Sequence, residues 1–273
     1  MNEATAPERP FAAGIYDYLL GGTANSAADR ETVRQMLEVL PEMRQSAWGN
    51  RGFLQRAVAR MAGEWNINQF LDLGAGLPTQ RHTHEVVGEL RPDGRVLYVD
   101  IDPRVVERGS ALLADVPGAA VLQADIRDTD RILTAPQTRE LIDFDRPVGL
   151  LMVAVTHFVL DEDDPWGLVR RYLDAVPAGS YLAISAPTAD KQSSRIRDTI
   201  RAAYARTPTP AVERDLTAFT RFLDGLEIVP PYPGAEPVVV HVGQWGAEDP
   251  EEADDDGSRW WYAAVARKPS TER

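Results

Sequence analysis

The chain has 273 residues, 44% of them apolar, which is enough for a sizeable core and excludes global disorder. Its 42 acidic residues outnumber its 29 basic residues, and the net charge of −13 disfavours DNA or RNA as a substrate because it repels phosphate. The sequence contains no cysteine, which excludes disulfides and cysteine-based zinc sites.

The N-terminal part of the sequence predicts helices only. Ile15, Tyr18 and Leu19 recur at helical spacing before Gly21-Gly22, a second helix is expected over 26–40, and a third over about 45–63. No signal peptide is apparent, and the longest apolar run, Val148–Val155, is too short for a membrane span. We therefore expect a cytoplasmic protein without a membrane partner, in which residues 1–65 form a helical cap on a second unit, residues 66–273.

The middle of the chain alternates short apolar runs with helical segments. This alternation predicts parallel βαβ units, and runs without polar alternation are typical of strands that are covered on both faces. The expected strands are 69–73, 95–100, 119–123, 148–154 and 181–185, and the expected helices are 80–90, 104–115, 129–141 and 165–176.

The C-terminal part predicts the edge of the sheet. Helices at about 190–205 and 213–224 lead to the run 226–229, and strands follow at 238–242 and 260–267. The acidic segment 248–257 between the last two strands is expected to be a solvated, mobile loop. The prediction is an α/β fold of the Rossmann-like class, with a seven-stranded, mostly parallel sheet, an antiparallel hairpin at its edge and an N-terminal helical extension.

The loop after the first strand has the pattern of a ligand-binding turn. Gly74 and Gly76 flank Ala75 and let a ligand approach the backbone closely, and the next helix offers free N–H groups. A dinucleotide fingerprint needs a third glycine where this chain has Thr79, so a nicotinamide-dependent oxidoreductase is disfavoured. A tight turn without any ligand is the remaining alternative.

Acidic residues follow each of the first three strands. Asp72 suits a cationic ligand group, Asp100 or nearby Asp102 suits ribose hydroxyls, and Asp125 suits the exocyclic amine of adenine, with Ile101 and Ile126 beside them. Each aspartate alone is also a common helix cap or turn residue. Three at the same end of a parallel sheet, where ligands bind in such folds, indicate S-adenosylmethionine.

These residues resemble the cofactor motifs of class I S-adenosylmethionine-dependent methyltransferases. The chain is similar to a bacterial S-adenosyl methyltransferase family over nearly its whole length, in the segments 15–22, 70–79, 99–103, 153–159 and 161–165. The resemblance implies the Rossmann-like fold and a helical N-terminal segment, but no acceptor. One departure is Thr23-Ala24-Asn25, where the family usually has Lys-Asp-Asn.

Several further residues are candidates for binding and chemistry. His157, just past the fourth strand, is the candidate general base, and the alternative is a structural hydrogen bond. Tyr16 and Tyr18 are candidates for a cation–π contact with the sulfonium, although both can instead pack in the core. Arg51 is a candidate for the methionine carboxylate, and Ala154 for a cofactor contact. His82 and His84 lie two positions apart without a further ligand, so no metal is expected.

The sequence thus predicts a methyltransferase that acts on a small-molecule acceptor. The alternative is a protein that binds S-adenosylmethionine without transferring its methyl group, as a sensor or a partner subunit. Neither the acceptor nor the oligomeric state is indicated.

Overall fold

A twisted, mostly parallel sheet forms the centre of the protein. The computed structural model describes residues 9–188, 190, 193–205, 207 and 209–270, with the backbone alone for 194–196. The first eight residues of the predicted cap and the last three of the chain lie outside the described residues. The strands within the described part are β1 (Gln69–Leu73), β2 (Arg95–Asp100), β3 (Ala119–Gln123), β4 (Gly149–Val153), β5 (Tyr181–Pro187), β6 (Glu227–Ile228), β7 (Val240–His241) and β8 (Trp261–Arg267).

The strand order confirms the Rossmann-like class. The sheet runs β3-β2-β1-β4-β5-β8-β6, with β7 also paired to β8. Strands β1 to β5 are parallel, and β8 is antiparallel to β5, β6 and β7. The prediction of seven strands was one short, because 226–229 also pairs with the sheet through the two residues of β6.

Helices cover both faces of this sheet. Those in the described residues are α1 (Ala12–Leu19), α2 (Ala27–Leu37), α3 (Met43–Gly63), α4 (Thr83–Leu90), α5 (Pro103–Leu113), α6 (Thr129–Thr134), α7 (Pro136–Leu141), α8 (Pro165–Ala175), α9 (Ser194–Tyr204) and α10 (Leu216–Thr220). Alternate residues of each strand point to opposite faces, so Phe70 packs with α3 and α4 while Leu71 packs with α6, α7 and α8. The apolar strand runs are therefore buried on both sides, as their sequence indicates.

The N-terminal helices have two roles. Helix α3 packs on the sheet through buried residues such as Phe53, Val58 and Met61. Helix α2 begins at Ser26, whose side chain accepts a hydrogen bond from the backbone of Asp29, while the Asp29 carboxylate accepts from the backbone of Ser26. The other carboxylate oxygen of Asp29 accepts from the backbone of Phe11, so α2 anchors α1 over the carboxyl ends of the strands.

Three predicted elements differ from the structure. Segment 129–141 is two helices rather than one, since Pro136 begins α7 and has no N–H to continue α6. Segment 213–224 contains only the short α10 and a 3-10 turn. The acidic segment 248–257 is not simply solvated, because Asp254 pairs with His241 and Arg259, and Gly257 lies against Gln45.

Candidate functional site

A cavity of about 610 Å³ lies at the carboxyl ends of β1 to β4, with α1 on its opposite side. Fourteen of the fifteen residues predicted for catalysis or cofactor binding line it, which places the sequence candidates in a single site. They are Tyr16, Arg51, Asp72, Gly74, Ala75, Gly76, Thr79, Asp100, Ile101, Asp102, Asp125, Ile126, Ala154 and His157.

The glycine loop presents bare backbone to this cavity. Gly74 and Gly76 have φ values of +73° and +67°, in the left-handed region that favours glycine. A Cβ on Gly74 would lie 2.1 Å from a methyl carbon of Val155, so no side chain fits there. At the end of the loop, the Thr79 hydroxyl donates to Asp17 Oδ1 over 3.1 Å. The loop is therefore tied directly to α1.

Asp100 organises the loop from the end of β2. Its two carboxylate oxygens accept the backbone N–H groups of Gly76 and Asp102, each over 2.9 Å. Burial raises the pKa of the Asp100 carboxyl, against these hydrogen bonds. Asp102 does not take the place of Asp100. It caps α5 and forms an ion pair with Arg104. Ile101, between the two acids, is 48% exposed and covers the cavity with its side chain.

Asp72 and Arg51 are buried charges beside the glycine loop. Asp72 accepts a hydrogen bond from the Thr83 hydroxyl over 2.7 Å, and burial raises the pKa of its carboxyl to about 6. Arg51 is 4% exposed, and its Nε and Nη1 atoms have no hydrogen-bond partner among the described residues. A buried guanidinium with unpaired N–H groups is costly unless an anionic group binds to it.

Ala154 occupies a strained turn after β4. Its φ is +56°, which is uncommon for a residue with a Cβ and is characteristic of functional sites. Its N–H donates to both the carbonyl oxygen and the hydroxyl oxygen of Ser185, each over 3.1 Å. The Ser185 hydroxyl in turn donates to Asn50 Oδ1 over 2.6 Å. This buried chain of hydrogen bonds fixes the turn to β5 and α3.

His157 is placed as expected but is poorly suited to act as a base. It is 4% exposed, and its Nδ1 has no hydrogen-bond partner among the described residues. Burial, together with the nearby Arg214 guanidinium, lowers the pKa of the imidazole to about 3. A group with such a low pKa accepts a proton weakly near neutral pH.

Only one of the two candidate tyrosines of α1 lines the cavity. Tyr16 points inward, and its hydroxyl donates to Ala47 O and accepts from Asn50 Nδ2. Tyr18 does not line the cavity, and instead its ring lies under Arg44, 4.9 Å from the guanidinium carbon. Residues two apart on a helix point in nearly opposite directions, so Tyr16 and Tyr18 do not both face the cavity.

The two predicted non-ligand histidines have local partners. His82 Nε2 lies 3.2 Å from Ala75 O, and His84 Nδ1 lies 2.8 Å from the Tyr98 hydroxyl. Within the described residues, no cluster of three or more His, Asp or Glu side chains has the arrangement of a metal site.

Sequence reasoning missed several residues of the cavity. Arg104 and Arg127 each pair with the aspartate two positions earlier, and this Asp-x-Arg repeat after β2 and β3 is the signal that would have found them. Tyr204 and Trp261 come from α9 and β8, far away in the chain, so local sequence carries no sign of their position.

Comparison with known proteins identifies the chain. A family model described as S-adenosyl methyltransferase matches residues 2–269. The protein belongs to this family. None of the curated proteins matches the sequence. S-adenosylmethionine is the family's cofactor, and the chain is therefore an S-adenosylmethionine-dependent methyltransferase, as the sequence motifs predict.

Solved structures agree with this assignment. A DUF574 family protein from Streptomyces avermitilis is 40% identical, with a TM-score of 0.87, and the match covers 96% of this chain and 98% of that one. A protein from Thermobifida fusca is 37% identical, with a TM-score of 0.87 and 96% of each chain covered. The N-methyltransferase NodS from Bradyrhizobium japonicum, in complex with S-adenosylhomocysteine, is 13% identical, with a TM-score of 0.52, and shares the fold; 94% of this chain and 100% of that chain are covered.

The described residues of this methyltransferase fit its cofactor. The unpaired N–H groups of Arg51 match a carboxylate, and the carboxylates of Asp72 and Asp100 match ammonium and hydroxyl donors. A Cβ on Gly76 would meet only the Cβ of Ala13, 3.9 Å away, so a ligand can reach the backbone there.

None of the helices in the described part of the chain is both long and apolar enough to cross a membrane.

Proposed function

We propose that this methyltransferase transfers the methyl group of S-adenosylmethionine to a small-molecule acceptor that binds in the same cavity. The observation that carries the proposal is the cavity itself, whose volume of about 610 Å³ lies in the usual range for small-ligand sites. Helix α1 lies across it and is hydrogen-bonded to the glycine loop and to α3, which suits a small molecule better than a folded macromolecule.

Four charged groups of the cavity hold the cofactor in this proposal. Asp100 binds the ribose hydroxyls, Asp125 and the backbone of Ile126 bind adenine, and Arg51 binds the methionine carboxylate. Asp72 faces the α-ammonium, whose positive charge favours the ionised form of this carboxyl. The glycine loop, Thr79 and Ala154 complete the wall of the site.

The bound cofactor supplies an electrophilic methyl group on a positively charged sulfur. The chain contributes mainly orientation and the exclusion of water. The Tyr16 ring offers a face that stabilises positive charge, and the guanidinium carbon of Arg51 lies over this ring, 5.8 Å from its centroid. The Tyr16 hydroxyl is already used in hydrogen bonds to Ala47 and Asn50, so we assign it a positioning role rather than proton transfer.

The binding-only alternative retains one supporting observation, since neither His157 nor Tyr16 is suited to remove a proton from an acceptor. Membership of a methyltransferase family favours transfer over this alternative. The two differ in one measurable respect, the formation of S-adenosylhomocysteine.

The test is an assay of S-adenosylhomocysteine formation. The protein and S-adenosylmethionine are incubated separately with the dialysable and the retained fractions of a bacterial extract. We expect turnover with the dialysable fraction, lost in Asp100→Ala and kept in Asp128→Ala, because Asp128 caps α6 outside the cavity. Turnover with the retained fraction alone would show a macromolecular acceptor, and turnover with neither would favour the binding-only alternative.

A further inference from the structure

Five rings border one part of the cavity, and we call them the aromatic chamber: Tyr16, His157, Phe158, Tyr204 and Trp261. The His157 ring centroid lies 4.0 Å from that of Phe158 and 5.6 Å from that of Trp261. The Phe158 ring lies 5.7 Å from that of Tyr204, which comes from α9. Four distant parts of the chain, namely α1, the turn after β4, α9 and β8, thus bring their rings together around one space.

Two rings of the aromatic chamber, those of Tyr16 and Trp261, are held in place by hydrogen bonds on their outer side. Trp261 Nε1 donates to Ser46 Oγ over 2.6 Å. The Tyr16 hydroxyl donates to Ala47 O over 3.1 Å and accepts from Asn50 over 2.8 Å. The polar atoms of these two residues therefore face α3 rather than the chamber.

The aromatic chamber carries no charge near neutral pH. Burial raises the pKa of Tyr204 to about 12 and lowers that of His157 to about 3, so both are neutral. Arg214, the cation near His157, does not line the cavity. Arg51 lies at the boundary of the chamber, 5.8 Å from the Tyr16 ring.

Apart from Arg51, the charged groups that line the cavity lie outside the aromatic chamber. Asp17 accepts hydrogen bonds from Ala24 N, Asn25 Nδ2 and the Thr79 hydroxyl, so its charge is already satisfied. The remaining charged lining residues that the structure describes stand beside the glycine loop or at strand ends: Asp72, Asp100, Asp102, Arg104, Asp125 and Arg127.

We propose that the aromatic chamber binds the methyl acceptor as an uncharged planar ring compound, and that the atom methylated is a ring nitrogen with a free lone pair. This inference rests on the proposed function. A flat ring can stack on or meet the edges of the surrounding rings. An acceptor with an ionised group would lose its hydration in the chamber without gaining a counter-ion.

The choice of nitrogen follows from the proton balance of the transfer. The nitrogen lone pair forms the new N–CH₃ bond as the S–CH₃ bond breaks, and the electrons of the broken bond stay on sulfur. Positive charge moves from sulfur to nitrogen and no proton has to leave, so no base is required. The ring faces of the chamber stabilise the cation that forms. A hydroxyl acceptor would have to lose a proton, and neither Tyr16 nor His157 is suited to take it.

Binding of two compounds that share a fused bicyclic aromatic frame tests the charge requirement. Calorimetry with the full chain and saturating S-adenosylhomocysteine compares quinoline with 1-naphthoate at pH 8. We expect quinoline to bind at least about tenfold more tightly, which corresponds to about 1.4 kcal/mol. Equal or tighter binding of 1-naphthoate would overturn the inference. If the wild-type protein does not bind S-adenosylhomocysteine, the proposed function is contradicted. If it binds S-adenosylhomocysteine but does not bind quinoline, only the present inference is contradicted.

Variants test whether the chamber is the binding site. We expect Trp261→Leu and Tyr204→Leu to weaken quinoline binding about tenfold while the affinity for S-adenosylhomocysteine is kept. Trp261→Phe retains a ring and should lose less. Trp48→Leu is the control, because Trp48 is 48% exposed and lies outside the cavity. Unchanged quinoline affinity in both chamber variants would place the acceptor elsewhere.

Product analysis tests the nitrogen. Mass spectrometry should detect N-methylquinolinium from quinoline, and no methyl ether from 1-naphthol, which has the same shape and a hydroxyl nucleophile. Methylation of 1-naphthol at a comparable rate would overturn the assignment to nitrogen, as would quinoline that binds without being methylated.

Discussion

The guanidinium of Arg127 lies against the carboxylate of Asp125, with 2.6 Å between Nη2 and Oδ2. The same guanidinium reaches Asp163 over 2.9 Å, so it links the loop after β3 to the turn that follows β4. Burial opposes ionisation of Asp125, but the hydrogen bonds from Arg127 outweigh it and lower the pKa of this carboxyl. Asp125 is therefore held as an anion at the edge of the cavity.

We predict that Asp125→Ala weakens the binding of S-adenosylhomocysteine by about tenfold, because the adenine amine loses a charged acceptor. Calorimetry measures the affinity. Asp163→Ala is the matched control, since it also removes a carboxylate partner of Arg127 but one that does not line the cavity. If the two variants lose affinity equally, Arg127 rather than Asp125 would be the residue that matters.

The raised pKa of the buried Asp72 carboxyl should make the stability of the protein depend on pH. Burial raises the pKa of the Asp72 carboxyl from its ordinary 3.8 to about 6, so the folded protein keeps this proton to a higher pH than the unfolded chain does. The free energy of unfolding should therefore fall as the pH rises from about 4 through about 6. We predict that Asp72→Asn is more stable than the wild type at pH 8 by on the order of 2 kcal/mol.

Urea denaturation at several pH values measures this effect. The wild type and Asp72→Asn should converge in stability near pH 4 and diverge above it. Parallel curves over the whole range would show that Asp72 titrates normally in the folded protein.

Variants of Tyr16 distinguish a positioning role of its hydroxyl from a catalytic one. Tyr16→Phe leaves Asn50 Nδ2 and Ala47 O without the hydroxyl, so we expect the free energy of unfolding to drop by about 1–3 kcal/mol. The ring face remains, and turnover should change by no more than about fivefold. Tyr16→Leu, which also removes the ring, should lose much more turnover. Abolished turnover in Tyr16→Phe at unchanged stability would instead make the hydroxyl catalytic.

Arg214 supports the segment that carries His157. Its guanidinium donates to the carbonyl oxygens of Thr156 and Val159 and to the Asp161 carboxylate, and its side chain is 2% exposed. A lysine cannot reach all three acceptors, so Arg214→Lys should lower the free energy of unfolding by about 2–4 kcal/mol.

The matched control for this change is Arg34→Lys, because Arg34 forms an exposed ion pair with Glu31. We expect this variant to lower the free energy of unfolding by less than about 0.5 kcal/mol. Urea denaturation compares the two variants. Similar small losses in both would mean that the segment after β4 is stable without the guanidinium.

The sequence predicts the sheet better than the cavity that the sheet supports. Strands β1, β2 and β3 have the predicted bounds, because each is a short, mainly apolar run between turn residues. Asp72, Asp100 and Asp125 were found for the same reason, since the end of a predicted strand fixes the edge of the sheet.

Contacts between distant segments cannot be predicted from local sequence patterns. Trp261 meets His157 only because β8 inserts beside β5, and nothing near either residue in the sequence indicates this pairing. Tyr18 lies outside the cavity lining for a different reason, because the helical pattern of α1 does not reveal which side faces the cavity. The role of Asp102 as a helix cap was among the alternatives that the sequence left open.

Helix α1 is fastened at both rims of the cavity, to the glycine loop by Asp17 and to α3 by Tyr16, and Phe11 also lies against Arg104. If S-adenosylhomocysteine leaves past this helix, the contacts that hold α1 have to break, although they are unrelated to cofactor binding. We therefore expect the residence time of the product to be set by the opening of the helix, and turnover at saturating substrate to be limited by release rather than by bond making.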